Sequence, residues 1–542
     1  MSPAIPCKRE WVVQKYGGTS LGKLLDTICG EIIPAFSYQF NVAVICSAIS
    51  GKSKALGTTS LLIQCISAIS SSTEGAENEL NDTLDLLKDN HLNIINSIAS
   101  GLNPDAQQIC QRAANAISKE CEQMRAFMLA AQTVGELSPR SRDRILALGE
   151  RLACSIVATT LQVKGVPAQP VFLDNLVEET FGPSVATQRD AFETLGADVY
   201  PLLSQQIARK IQDCDGAIPI ITGFFGIVPN SLIATVGRGY SDFCAALCAV
   251  GLGARELQIW KEVDGIFTAD PRKIPSARLL PAVTFEEAAE LTYYGSEVVH
   301  PMAVDQIRHA GIRLQLKNVF NPAGAGTRIY PTSTPLPSPP TSEAPTPRST
   351  SPSRASAPPL ACMLIGYHGN LENRRTPTAV TVKDPITVVN VLCNQKRKSS
   401  TFLLNVLEQV AKHNLDIDLV TSSEKSVSFA LENVDDRQRL RRLITVLEDF
   451  GCVTVSEDRA IISVVGHKMR NMVGVSSEIL SALAAAKINV HMISQGASEI
   501  NISAVVRKDQ ALLAMEVIHQ NVLKIPSRTE VENNFIKGPW LY

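Results

Sequence analysis

The sequence predicts an α/β protein in which helices cover a mainly parallel sheet, followed by a duplicated βαββαβ domain. Three observations predict this organisation. Short apolar runs alternate with helical patterns across residues 10–330. A segment rich in Pro, Ser and Thr then interrupts the alternation. Between residues 379 and 525, one order of strands and helices occurs twice.

The composition indicates a folded globular chain. Of the 542 residues, 45% are apolar and 19% are charged, which is enough apolar surface for a large core. A net charge of −2, without a basic block backed by aromatic residues, predicts no nucleic-acid partner. The first residues carry no apolar signal core and no run of 18 uncharged apolar residues occurs, so we expect a cytoplasmic protein without a membrane partner. The thirteen cysteines include no C-x-x-C pair, which predicts reduced thiols and no metal site.

Residues 10–330 are predicted to form the parallel-sheet domain. Four apolar runs are typical of buried strands: residues 42–46, 218–222, 257–260 and 314–316. Helices are predicted at residues 140–163, 241–252 and 284–294, with a helical insertion at 74–134. The alternation favours parallel pairing, because a helical crossover returns the chain to the same end of the sheet.

A linker is predicted after this domain. Within residues 331–359, 22 of 29 residues are Pro, Ser or Thr. Such a composition cannot bury enough surface to offset the entropy of ordering. We therefore assign residues 331–360 to an extended linker.

Behind the linker, each copy of the repeat has the βαββαβ plan of ferredoxin-like domains. Predicted strands are residues 386–391, 415–420 and 426–431 in the first copy, and 461–465, 488–493 and 500–506 in the second. Predicted helices are residues 402–413, 435–450, 476–486 and 509–523. Two small duplicated domains behind a linker indicate regulation or pairing rather than chemistry.

The first candidate site lies between the first strand and the first helix. Residues 17–24 nearly match the P-loop pattern G-x-x-x-x-G-K-[ST], but Leu24 stands where a hydroxyl should hold magnesium. Lys15 precedes two glycines, which let backbone N–H groups approach a phosphate at the helix N-terminus. These residues leave two interpretations open: a phosphate loop, or a tight turn beside a solvated lysine.

A second candidate is the arginine loop at residues 236–254. Arg238 lies between two glycines, so its guanidinium has room to hold a carboxylate. Ser241 and Asp242 follow and are predicted to cap an apolar helix. A loop arginine with an ordinary helix cap fits the same residues.

Two more stretches carry candidate residues. Residues 259–273 run from a strand into Asp-Gly and Asp-Pro turns, at the strand end where open α/β sheets bind ligands; a plain turn cluster is the alternative.

Glu150 follows Gly149 within an apolar helix. A mid-helix glycine indicates close approach by another group, while an exposed Glu beside Arg151 is the alternative.

Together these stretches resemble a known family. The segments Lys15–Ser20, Gly149–Glu150, Gly237–Asp242 and Trp260–Arg272 have the order and spacing of aspartate kinases. The sequence closely resembles the monofunctional fungal aspartokinases, and residues 293–301 and 494–503 strengthen the match. The resemblance implies an αβα sandwich of the amino-acid kinase fold followed by two ferredoxin-like ACT domains. It also implies interleaving: the first ACT domain spans residues 386–458, and the second spans residues 459–525 plus a strand at 379–384.

The resemblance implies transfer of a phosphoryl group from ATP to the side chain of L-aspartate, with Mg²⁺ bridging the ATP phosphates. The implied catalytic residues are Lys15, Arg238 and Asp242. The implied substrate-binding residues are Ser47, Thr59, Glu150, Arg238 and Ser241, with Glu150 on the α-ammonium and Arg238 on the α-carboxylate. The implied ATP-binding residues are Lys15, Gly17, Gly18, Thr19, Ser20, Lys261, Glu262, Phe267 and Arg272.

Regulation is also implied by the resemblance. The effector-side pattern places Asp418, Thr421, Ser422 and Ser423 at an allosteric site for threonine, and the ACT domains imply a homo-oligomer. The sequence departs from the family at two places: Ile49 stands where fungal relatives usually carry Arg, and Ser400-Thr401 precede Phe402 where a glycine is usual. The linker is also long.

Three functions remain in competition at this point. The first is an aspartate kinase of threonine, methionine and isoleucine synthesis that is inhibited by threonine. The second is a pathway-specialised paralogue with the same reaction and weakened feedback. The third is a non-catalytic amino-acid sensor, which has no need of Lys15, Glu150, Arg238 and Asp242 together.

Overall fold

The computed structural model describes residues 9–50, 56–70, 75–101, 103–229, 231–237, 239–293, 299–330, 376–393, 399–432, 437–496 and 500–526. The chain divides into two compact units: residues 1–265 with 299–331, and residues 266–298 with 332–542. The predicted linker and Arg238 lie outside the described residues. Strands and helices are numbered along the whole chain.

The first unit is built on a mainly parallel sheet. Its strands are β1 (Trp11–Tyr16), β2 (Asn41–Cys46), β3 (Ala168–Val171), β4 (Ile218–Thr222), β5 (Glu256–Lys261), β7 (Arg313–Asn318) and β8 (Thr327–Tyr330). Their order is β3-β4-β2-β1-β5-β7-β8, and each neighbouring pair is parallel except β7 and β8. The four predicted strands are confirmed, and so is the predicted fold class.

Helices account for most of the remaining first unit. They are α1 (Gly18–Thr27), α2 (Ile33–Ser37), α3 (Thr58–Ile69), α4 (Ala76–Ala99), α5 (Pro104–Val134), α6 (Pro139–Val163), α7 (Leu176–Phe181), α8 (Val185–Leu195), α9 (Val199–Gln212), α10 (Leu232–Thr235), α11 (Tyr240–Leu252) and α13 (Pro301–Ala310). A π-helical turn, Ile28–Ile32, joins α1 to α2. The predicted insertion is the helix pair α4 and α5.

Two helical layers cover opposite faces of the sheet. Consecutive strand residues point to opposite faces. Tyr16 packs in the hydrophobic cluster that α3, α4, α5 and α6 share with the sheet. Its neighbour Lys15 instead reaches α11, which packs with α9 and α13. The strands are therefore buried on both faces, which explains their nearly continuous apolar sequences.

Helix α6 is the central helix of this unit. By length and composition it could cross a membrane, but 83% of its most apolar window is buried, as in the core helix of a globular domain. A Cβ atom on Gly149 would lie 2.9 Å from Cβ of Ala48 and 2.9 Å from Cγ2 of Thr58. The close approach that Gly149 predicted is thus confirmed: α6 packs against α3 and the loop after β2 at this point.

The second unit contains one antiparallel sheet. Its elements are β6 (Ala282–Thr284), α12 (Phe285–Tyr293), β9 (Ala379–Cys393), α14 (Ser399–Lys412), β10 (Ile417–Ser422), β11 (Ser426–Glu432), α15 (Arg437–Glu448), β12 (Gly451–Val465), α16 (Val475–Ala485), β13 (Met492–Gln495), β14 (Asn501–Arg507) and α17 (Ala511–Asn521). Six strands form the sheet in the order β10-β11-β9-β12-β14-β13.

Two long strands run through both halves of this sheet. Residues 386–393 of β9 pair with 451–459 of β12, and residues 379–383 of β9 pair with 461–465 of β12. The predicted strand 488–493 is wrong over its first four residues: Ile488 instead donates its N–H to the Leu483 carbonyl and closes α16, so β13 begins only at Met492. The segment 266–298 joins this unit through the Thr268 carbonyl, which accepts the Val380 N–H at 2.9 Å.

The packing around Gly149 gives a stability prediction. Gly149→Ala should destabilise the chain by about 1–3 kcal/mol, because the strain of the new methyl group exceeds the gain in helix propensity. Gly30→Ala is the matched control, since its methyl group would meet only the flexible end of Lys164 at 3.3 Å. Urea unfolding followed by circular dichroism measures both variants. Equal midpoints for the two would contradict the packing account.

Candidate active site

A buried ion pair lies at the carboxyl end of β1. Lys15 Nζ is 2.6 Å from Oδ1 of Asp242, and their side chains are only 8% and 7% exposed. β1 is a central strand with parallel neighbours on both sides. The pair therefore lies where open α/β sheets bind their ligands, beyond the carboxyl ends of parallel strands.

The first turn of α11 brings Asp242 to this point. The predicted helix cap is wrong: the N-cap is Gly239 at φ +90°, a left-handed conformation that favours glycine. Ser241 and Asp242 lie inside the first turn, and the Asp242 N–H donates to the Gly239 carbonyl at 2.9 Å. Because glycine begins the helix, the Asp242 carboxylate is free to face Lys15.

The Asp242 carboxylate is held in its charged form. Burial by itself raises the pKa of this carboxyl group. The positive charges of Lys15 and Lys261, with a hydrogen bond from Lys15, outweigh burial and bring the pKa of Asp242 below its ordinary value. The site therefore contains two lysines around one ionised aspartate.

The loop after β1 is a glycine turn beside this pair. A Cβ atom on Gly18 would lie 2.0 Å from the Ala48 carbonyl oxygen, so the loop packs tightly on the segment after β2. The space beside Gly17 is open within 4 Å. Ser20 is buried and donates its hydroxyl to Oε1 of Glu262 at 2.7 Å. Thr19 is half-buried.

This geometry resolves the near match to a P-loop. Lys23, the lysine at the P-loop position, is exposed. Leu24 packs against the hydrophobic cluster of the first unit. Lys15, which precedes the glycines at the end of β1, is buried.

A serine pair extends the site between β2 and α11. Ser47 Oγ and Ser241 Oγ are 3.0 Å apart. A Cβ atom on Gly223 would lie 2.4 Å from Cβ of Ser241, so only glycine at the end of β4 lets α11 approach this closely. The two hydroxyls therefore lie side by side, and Ser241 directly precedes Asp242 of the ion pair.

Glu150 is a second buried carboxylate and has the opposite electrostatic environment. It is 2% exposed and accepts the backbone N–H of Phe224. Burial raises its pKa to about 8, even though hydrogen bonds from Phe224 and Tyr240 and the charge of Lys15 act in the other direction. An ammonium group in front of Glu150 would restore its ionised form.

Other predicted residues are not joined to this cluster. Thr59 is exposed at the start of α3, whereas its neighbour Thr58 is buried. Ile49 is 4% exposed and belongs to the hydrophobic cluster. Phe267 and Arg272 lie in the second unit, where Phe267 pairs with Leu279 across a β-bridge and Arg272 binds the adjacent Asp270.

The predicted effector residues lie along β10 and directly after it in the second unit. The Asp418 side chain is only 4% exposed and is bound to Lys383 Nζ at 2.6 Å; Lys383 also binds Glu432 at 2.7 Å. Thr421 is half-buried, and Ser422 and Ser423 are exposed. Asp418 therefore already has an ammonium partner within the chain.

Sequence reasoning missed three residues that organise the site. Asp143 is buried and accepts the Ser231 hydroxyl at 2.7 Å and the Leu232 N–H at 2.6 Å, which fixes the start of α10 before the arginine loop. Phe224 and Tyr240 supply the hydrogen bonds to Glu150. Tyr240 belongs to the segment Gly237–Asp242 that the sequence analysis identified, whereas no local sequence pattern marks Asp143 or Phe224.

Comparison with known proteins defines the class. A model of the amino acid kinase family matches residues 10–318, and a model of the ACT domain matches residues 462–522. The fold is thus that of an amino acid kinase with an ACT domain.

Relatives define the family more narrowly. Aspartokinase of Schizosaccharomyces pombe is 39% identical over 98% of this chain and 97% of its own length. Aspartokinase of Saccharomyces cerevisiae is 38% identical over 97% of this chain and 95% of its own length. The chain therefore belongs to the aspartokinase family. In fold it is similar to E. coli aspartokinase III, solved in complex with aspartate and ADP, with a TM-score of 0.66 and 23% identity over 95% of this chain and 100% of that one.

The raised pKa of Glu150 predicts how stability depends on pH. The native state holds a proton on Glu150 up to about pH 8, whereas the unfolded state loses it near pH 4.5. This proton stabilises the fold fully below pH 4.5, and the stabilisation is lost as pH rises towards 8. Between pH 5 and 8 the wild type should lose on the order of 3 kcal/mol relative to Glu150→Gln.

Urea unfolding at several pH values measures this difference. Glu150→Gln keeps the shape of the protonated acid but cannot ionise, so the variant controls for any structural effect of the side chain. Parallel pH profiles for the wild type and the variant would mean that Glu150 ionises normally.

Proposed function

We propose that the chain is an aspartate kinase, which transfers the γ-phosphoryl group of ATP to the side-chain carboxylate of L-aspartate. The observation that carries the proposal is the buried Lys15–Asp242 pair at the end of a central parallel strand, beside a glycine loop. The names of the fungal relatives support the same activity.

The chemistry explains the residues of the site. A free aspartate side chain has a pKa of about 3.9, so the nucleophile is already ionised at neutral pH and needs no general base. The protein must instead bring two anions together and stabilise the charge of the transferring phosphoryl group. Lysines and backbone N–H groups perform that task.

Lys15 is the proposed contact to the transferring phosphoryl oxygens. Asp242 orients it, since an ion pair at 2.6 Å leaves the ammonium with two N–H groups for the substrate. Lys261 is the last residue of β5 and adds a second positive charge near Asp242. The phosphoryl group would thus meet fixed charges that need no rearrangement.

The substrate side of the proposal uses the second carboxylate. Glu150 takes the α-ammonium of aspartate, and Ser47 and Ser241 line the same space. Arg238 takes the α-carboxylate; this role rests on the sequence. Thr59 remains a proposed lining residue, although it is exposed in this structure.

The nucleotide side of the proposal uses the glycine loop. Gly17, Gly18, Thr19 and Ser20 would surround the phosphates, and Glu262 fixes the loop through Ser20. Phe267 and Arg272 stay proposed nucleotide contacts on the basis of the sequence. Mg²⁺ on the ATP phosphates supplies charge neutralisation. We expect that ion to be held mainly by phosphate oxygens and water, with few protein ligands.

Regulation is proposed to reside in the second unit. We assign ACT domains to residues 386–458 and to residues 459–525 with strand 379–384, and propose threonine inhibition through Asp418, Thr421, Ser422 and Ser423. The duplicated domains also suggest a homo-oligomer, and a cytoplasmic location stays an expectation from the sequence. Asp418 already binds Lys383, and Ser400-Thr401 replace the usual loop sequence, so weakened feedback is the second candidate.

Lys15→Ala tests the catalytic proposal. It should lower kcat at least ~100-fold, because it removes the main positive charge from the transferring group. The control is Lys23→Ala, which removes an exposed lysine eight residues further along the same loop and helix and should leave kcat unchanged. Steady-state turnover with ATP, magnesium and aspartate gives both values. Near-normal turnover of folded Lys15→Ala would remove Lys15 from the mechanism.

Aspartyl hydroxamate formation tests the function and its regulation together. With ATP, magnesium and aspartate, we expect hydroxamate, and we expect millimolar threonine to suppress it while equal lysine does not. Activity that threonine does not inhibit supports the specialised paralogue. A folded chain that forms no hydroxamate supports the sensor and overturns the proposed activity.

A further inference from the structure

A charged cavity lies outside the candidate active site in the first unit. Its volume is about 570 Å³, within the range of small-molecule sites. It lies between α5, α6 and the loops that follow β3 and β4. Its lining includes Glu120, Phe127, Arg140, Arg144, Arg151 and Asp174, but not Lys15, Glu150 or Asp242.

One wall of the cavity is a fixed ion network. Arg151 binds Glu120 at 2.8 Å and also binds Asp174. The Arg151 guanidinium stacks over the Phe172 ring, 4.1 Å from its centroid. With both carboxylates and a ring as partners, Arg151 holds Asp174 at the cavity in a defined position.

Two groups of the cavity have capacity left for a ligand. Oδ1 of Asp174 is buried and, among the described residues, accepts no hydrogen bond. The Arg144 guanidinium lies 5.1 Å from the centroid of the Phe127 ring, and in the described part of the chain no carboxylate is within ion-pair distance of it. A buried acceptor without a partner is costly unless a ligand or water donates to it.

The charge balance selects the chemistry of the ligand. Three arginines and three carboxylates (Glu120, Asp174 and Glu178) line the cavity. A phosphate would be repelled by the carboxylates, and a simple cation would be repelled by the arginines. A zwitterion satisfies both signs at once.

We propose that this cavity binds a free α-amino acid, with its ammonium on Asp174 and its carboxylate on Arg144. Phe127 and Met124 supply apolar surface for the side chain of the ligand. This site is separate from the proposed aspartate site and from the proposed effector residues on and after β10.

The cavity is connected to the candidate active site through α6. Arg151 lines the cavity, and the preceding residue of the same helix is Glu150, which does not line it. Phe224 also lines the cavity, and its backbone N–H donates to Glu150. A ligand that moves Phe224 would therefore change the hydrogen bonding of Glu150.

Isothermal titration calorimetry on the full chain tests the proposal directly. The probes are L-threonine, L-methionine, L-glutamate and L-lysine, which span polar, apolar, acidic and cationic side chains. The titrations use the Asp418→Ala chain, so that binding at the proposed effector residues on β10 does not add to the measured heat. At least one probe should bind. Adding Arg144→Ala should weaken that binding at least ~10-fold, as the loss of a charged hydrogen bond predicts.

The matched control is Arg142→Ala, an exposed arginine of the same helix that does not line the cavity; it should leave the Kd unchanged. Asp174→Asn is the second variant and should weaken binding like Arg144→Ala, with thermal melting as the check on folding. The proposal is overturned if no probe binds the Asp418→Ala chain, or if Arg144→Ala and Arg142→Ala bind equally. Because binding is read directly, a failure of the kinase proposal would not affect this result.

Discussion

The buried ion pair between Lys15 and Asp242 is the interaction on which the organisation of the first unit depends. Two charges that are more than 90% excluded from water are tolerated only when they are paired at close range. The pair forms only if α11 starts directly against the ends of β1 and β4. Gly223 permits that approach, and Gly239 begins the helix without a side-chain cap. The glycines at these positions thus follow from the geometry that the ion pair requires.

The two buried carboxylates of the site differ in charge because their neighbours differ. Asp242 faces two lysines, and its pKa falls below the ordinary value. For Glu150, burial outweighs the hydrogen bonds from Phe224 and Tyr240 and the charge of Lys15, and its pKa rises to about 8. One group therefore holds a permanent negative charge beside a lysine, while the other becomes charged when a cation arrives. That division suits the proposed function, in which Lys15 contacts the transferring phosphoryl group and Glu150 takes the ammonium of the substrate.

Much of this arrangement could be predicted from the sequence, because the strands, the helices and the close approach at Gly149 have local signals. Lys15 and Asp242 were both candidates, yet their contact depends on the order of strands, which local patterns do not encode. The capping role of Asp242 was mistaken because a glycine in left-handed conformation replaced the side-chain cap. Asp143 and Asp174 were missed because an isolated carboxylate has no pattern, and its burial is set by tertiary packing alone. The first four residues of the predicted 488–493 strand are not strand because apolar Ile488 closes a helix instead.

The most direct test of the central claim is rapid-quench measurement of phosphoryl transfer from γ-labelled ATP to aspartate by Asp242→Asn. This variant keeps the shape of the side chain and removes only the charge that orients Lys15. The account predicts that formation of the acyl phosphate slows at least ~100-fold while ATP still binds. Transfer at the wild-type rate in a folded Asp242→Asn chain would contradict it.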